Sequence, residues 1–201
     1  MKNRVELIID ENEFDSGIDA VSVVEHPAIE ENFIALNHQP IKLAEVDKEK
    51  RILMGCLLVP DRDIPRMDEN GNIYYIFFSK ETVRKCMELF FIRSKQNNST
   101  LEHLDTIDGL TVVESWIVED KQMDKTALYG LNAPVGAWVG SVKVNNPEIW
   151  DGYVKTGLVK GFSIEGYFAD KAKLSKCNDD VLDEILAGLQ LLKIKYSYES
   201  K

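Results

Sequence analysis

Apolar and polar positions along the chain fall into short blocks that change period from one to the next. Val5-Glu6-Leu7-Ile8-Ile9 reads as a first strand, and the β-branched run Ala20-Val21-Ser22-Val23-Val24 as a second, closed by Pro27. After a polar stretch from Asn37 to Lys50, Arg51 to Val59 is a continuous apolar run of strand length, the pattern of a buried central strand. Pro60 to Asn72 holds two prolines and an Asn70-Gly71 pair. This predicts a long polar hairpin tip that returns through a strand at Ile73 to Phe78 and pairs it with the 51–59 run.

The period then switches to helical. Ser79 stands at an N-cap position with Glu81 in the first turn, and Val83, Met87 and Phe90 follow on one face, predicting a helix over 80–93. Strands are predicted at 111–119, 126–131, 136–144 and 160–168, with a short helix over 147–157 stopped by Gly157. Leu182, Ile185, Leu189 and Leu192, with acids in front and lysines behind, predict an amphipathic C-terminal helix. Strands follow strands more often than they alternate with helices, which predicts an α+β fold with an antiparallel sheet closed on itself or packed on helices. Residues 1–170 are expected to form the main domain and 171–201 a helical segment packed on it.

Composition narrows the classes. A chain of 201 residues with 44% apolar content fits one globular domain with a real core. The 34 acidic residues against 24 basic ones, net −10, repel phosphate backbones, and no basic stripe interleaves with aromatics, so nucleic acid is not an expected partner. No apolar run is long enough for a membrane span or a signal peptide, which predicts a soluble, unexported protein. Cys56, Cys86 and Cys177 are widely spaced and read as reduced structural thiols. No His/Cys/Asp/Glu spacing fits a metal site, and no cofactor is expected.

Three histidines restrict the search for a base. His26 and His38 precede prolines in polar surroundings and read as surface residues. His103 lies between Glu102 and Asp105, carboxylates able to orient an imidazole, although a satisfied loop histidine is an equal reading. Ser163 sits between Gly161 and Gly166, where small neighbours leave room for a substrate backbone, although tight packing explains the same pattern. Glu114 interrupts an otherwise apolar strand, and such a carboxylate needs a buried partner, a function or a solvent-facing position. Ser115 is a rival nucleophile without an adjacent glycine.

Taken in order, five boxes resemble one family. They are Val21 to Phe33, Gly55-Cys56-Leu57-Leu58-Val59-Pro60-Asp61, Thr100-Leu101-Glu102-His103, Val113 to Val118, and Gly161-Phe162-Ser163-Ile164-Glu165-Gly166. The chain resembles the prohead maturation serine proteases of tailed phages, in the XkdF-like branch, which are similar in fold to herpesvirus assemblin. The resemblance implies a mostly antiparallel closed β-barrel flanked by helices, with Ser163 as nucleophile and His103 as base. No histidine follows His103, so a carboxylate would take the third role: Glu114 first, then Asp105 and Glu165. Backbone amides near Gly161 or Gly136 would serve the oxyanion. The resemblance further implies scaffold and major capsid proteins as substrates, self-cleavage, action inside the assembling prohead in the bacterial cytoplasm, and room for a homodimer. Two alternatives remain open: a non-catalytic capsid-assembly or scaffolding protein that keeps the fold, and an unrelated acyl hydrolase of small esters.

Overall fold

The computed structural model describes residues 3–25, 34–35 and 50–174. His26, His38, Cys177 and the helix expected beyond residue 178 lie outside this range. Twelve short strands occur among the described residues: β1 (Arg4–Ile8), β2 (Gly17–Val24), β3 (Ile34–Ala35), β4 (Ile52–Leu58), β5 (Ile64–Met67), β6 (Ile73–Phe78), β7 (Ser99–Leu101), β8 (Asp105–Thr106), β9 (Leu110–Ile117), β10 (Trp138–Val144), β11 (Gly161–Tyr167) and β12 (Ala169–Asp170). Helices among the described residues include α1 (Lys80–Ile92), α2 (Lys125–Leu128) and α3 (Pro147–Ile149), the last running into a π-helical turn over Trp150–Val154.

The strands form three four-stranded sheets with orders β12-β1-β6-β5, β3-β4-β10-β9 and β11-β2-β7-β8. Each sheet is open at both ends, which corrects the expectation of a closed barrel. Closure needs a continuous ladder with consistent tilt and stagger around the ring. Here β11 runs close to β4, yet no ladder joins them among the described residues. The pairs β1–β6 and β2–β7 are parallel, so the chain crosses between strands there instead of turning back on itself.

Two local predictions are also corrected. The antiparallel partner of β6 is β5, from within the expected hairpin tip, while β4 belongs to another sheet beside β10. Pro65 is tolerated because β5 is an edge strand. Residues 126–131 do not form a strand, because Asp124 accepts from Thr126 N at 2.8 Å and caps α2.

α1 forms where predicted. Ser79 Oγ accepts from Thr82 N at 3.3 Å, and Val83, Cys86 and Phe90 share the buried face. That face packs on β2, β9 and β10, where the rings of Phe90 and Trp138 meet edge-on at 5.4 Å. Ser94, at φ 57°, turns the chain out of the helix. A second, smaller core gathers Met54, Cys56, Val118 and Val139 on the other side of the β4–β10–β9 sheet.

Candidate active site

The site is built on β11, β2 and the β7–β8 turn. Alternation along β11 sends Phe162, 1% exposed, into the main core and leaves Ser163 and Glu165 on the opposite face. The register Ser163↔Ser22 and Ser22↔Thr100 sets three hydroxyl residues in one row across three strands. Gly166 makes this register attainable. The extra residue at the bulge is Asp19, and a Cβ on Gly166 would lie 2.1 Å from Gly17 O.

His103 stands on the turn that joins β7 to β8. Leu104 N donates to Leu101 O at 3.0 Å, and Glu102 and His103 take φ of 52° and 59°. Positive φ at both central residues is the signature of a type I′ turn, in which Asn and Gly are favoured and Glu and His are strained. Three bonds hold the turn in place. Glu102 N donates to Val23 O at 3.2 Å, His103 N donates to Ser22 Oγ at 3.2 Å, and Glu102 Oε1 accepts from Glu25 N at 2.6 Å. Buried Ser22 thereby ties β2, the neighbour of β11, to the backbone of the histidine.

The imidazole reaches back over the sheet. His103 Nδ1 lies 3.0 Å from Glu165 Oε1, and the same oxygen accepts from the Thr100 hydroxyl. The carboxylate thus contacts the ring at Nδ1, and Nε2 is the ring nitrogen left outside that contact. His103, Ser163, Glu165, Asp19 and Arg66 border one open cleft of about 590 Å³. The hydrogen bonds of His103 run to Ser22 and Glu165, not to Ser163. Catalytic hydrogen bonds often tighten only once substrate is seated.

The other sequence candidates are placed elsewhere. Glu114 is on β9 in a different sheet, where Lys125 Nζ donates to its Oε2 at 2.6 Å and Ser141 Oγ at 2.5 Å. Those two bonds, Lys125 first, hold its carboxyl below the usual range. Ser115 accepts from the Trp138 indole at 2.8 Å. Asp105 is exposed at the start of β8. Gly136 N donates to Val118 O at 2.8 Å in the turn before β10.

Backbone direction along β11 follows from its neighbour. Val21 N and Val23 O bond toward the β7 side, to Asn98 O and from Glu102 N, so Ser22 and Val24 turn to β11. Gly161 and Ser163, their partners in the register, therefore turn their amides to β2, and Ile164 turns its amide to the other edge. Among the described residues, no strand pairs with that edge.

Sequence reasoning had no role for Thr100, Ser22 or Arg66. Thr100 stands in the same box as His103, but only the register of β7 against β2 brings it to Glu165. β7 is three residues long, too short to show a period.

Ser163, His103 and Glu165 thus border one cleft, and a serine, a histidine and a carboxylate are the residue types that serine hydrolases use. The chain belongs to the family described as putative phage serine protease XkdF, whose family model matches residues 41–172 and so takes in Ser163, His103, Glu165 and Thr100. No curated protein and no solved structure matches the chain.

Proposed function

We propose that this chain is the serine endopeptidase of a phage prohead, cutting scaffold and major capsid proteins, and itself, during capsid maturation in the host cytoplasm. The observation that carries the reading is the 3.0 Å His103–Glu165 contact on the cleft that Ser163 borders. Ser163 Oγ attacks the scissile carbonyl while His103 Nε2 takes its proton. Glu165 stabilises the imidazolium, and His103 returns the proton to the leaving amine before water hydrolyses the acyl-enzyme. The third role goes to Glu165 in preference to Glu114 and Asp105. The register argues for Ile164 N–H, facing the open edge, as oxyanion donor, with Gly161 and Gly136 outside the reaction.

A polypeptide substrate suits the edge of β11, since an extended chain can add to it by main-chain hydrogen bonds. This favours a protease over an esterase of small molecules. The separation of Ser163 from the hydrogen bonds of His103 keeps a second reading, a non-catalytic assembly protein with the same fold. Co-expression with the head genes distinguishes the two. Ser163→Ala is expected to abolish scaffold and self cleavage on a gel, whereas unchanged processing would contradict the protease reading.

A further inference from the structure

Beneath the open edge of β11 lies a second cleft, of about 400 Å³. Ser163 borders it, and its walls are largely apolar: Leu57 and Leu58 of β4, Ile64 of β5, Ile76 of β6 and Phe168 just after β11. Consecutive residues Phe162, Ser163 and Ile164 all border it. A strand presents consecutive residues only where its edge, not one face, lines a space, because alternate side chains leave opposite faces. The two clefts therefore meet at the nucleophile. One is polar and carries His103 and Glu165; the other is apolar and leads toward the core.

An extended peptide laid along this edge sends alternate side chains to opposite sides. The residue whose carbonyl carbon meets Ser163 Oγ has its Cβ only two bonds from that carbon, so its side chain falls within reach of the apolar cleft. We infer that this cleft is the specificity pocket of the enzyme and selects a large apolar side chain, of the Leu, Met or Phe kind, on the acyl side of the scissile bond. Small residues leave apolar wall in contact with water, and Asp or Lys would have to be desolvated against walls whose polar side chains, besides Ser163, are Arg66, Tyr74 and Tyr167, with no carboxylate to pair a lysine. The inference rests on the protease reading, and the test separates the two.

Two kinds of reagent make that separation. Methanesulfonyl fluoride, which forms an Oγ–S bond and releases fluoride, reports the reactivity of Ser163 alone. A panel of peptidyl aminoalkylphosphonate diphenyl esters, in which an Oγ–P bond to Ser163 forms as a P–O bond breaks and phenoxide leaves, varies the side chain among Gly, Ala, Leu, Phe, Asp and Lys. Labelling rates are read by intact mass spectrometry with peptide mapping. The Leu and Phe reagents are expected to label Ser163 at least tenfold faster than the Gly, Asp and Lys reagents. Filling the cleft by Ile64→Phe or Leu58→Phe is expected to reverse the order toward Gly and Ala while sulfonyl fluoride labelling persists. Equal rates across the wild-type panel, faster labelling by Gly, Asp or Lys, or an unchanged order in a filled variant that still takes the sulfonyl fluoride would overturn the pocket. If the filled variants fail to fold, the wild-type order alone decides. Absence of sulfonyl fluoride labelling at Ser163 would instead overturn the protease reading on which the pocket depends.

Discussion

His103 and Glu165 are three and two positions past the residues of their strands that share the cross-strand row, Thr100 and Ser163. That offset lets the imidazole fold back over the sheet to reach the carboxylate. The turn that carries His103 has two consecutive non-glycine residues at positive φ, each a strain of about 1–3 kcal/mol. Ser22, Val23 and Glu25 hold the turn against that strain through the three bonds described. If Glu165 orients the ring, Glu165→Gln should lower kcat/KM by about 10²–10⁴-fold by favouring the wrong tautomer. Glu114→Gln, a change on another sheet, should not, and steady-state cleavage of a fluorogenic peptide compares the two. At the same scale, burial pushes the Cys86 thiol up to about 12 from 9.0. The unfolded thiol ionises first, so this residue's contribution to stability is complete below about pH 9 and declines as pH rises toward 12. Mass-mapped alkylation at pH 8 should leave Cys86 unmodified in the native protein and modify it in denaturant.

At the scale of elements, sequence patterns located what local chemistry decides. Ser79 caps α1, and its apolar face reads directly as Val83, Cys86 and Phe90 against the sheets. Phe90→Ala should therefore destabilise the fold by about 3–5 kcal/mol, measurable by chemical denaturation. The strands β1, β2, β4, β6, β9, β10 and β11 also lie where apolar runs predict them. Two things were not legible. The first is a segment whose pattern fits two structures: the 126–131 run has strand-like spacing, but Asp124 caps a helix there and Lys125 reaches back to Glu114. The second is pairing. Nothing in residues 51–78 announces that β4 joins β10 while β6 takes β5, because partner choice depends on packing between distant segments. Glu114, a carboxylate in an apolar strand, has Lys125 and Ser141 as its partners. Its physical explanation is an ion pair that fastens α2 to β9.

Across the whole molecule, the departure from a closed barrel and the proposed chemistry concern the same place. Among the described residues no ladder joins β11 to β4, and Ser163 of the one and Leu57 and Leu58 of the other line the apolar cleft. An open edge costs solubility unless something covers it. Under the proposed function it offers a substrate chain unsatisfied main-chain groups next to Ser163. Order along the chain placed His103 before Ser163, but only the parallel β2–β7 pair brings them over one sheet, and such long-range pairing leaves no local trace in sequence.

The central claim is that Ser163 is a nucleophile made reactive by His103. Mass spectrometry of the purified protein after exposure to a sulfonyl fluoride tests it most directly. The account predicts a single adduct that maps to Ser163 and is lost in both Ser163→Ala and His103→Ala. No adduct at Ser163, or an adduct there that survives His103→Ala at an undiminished rate, would contradict it.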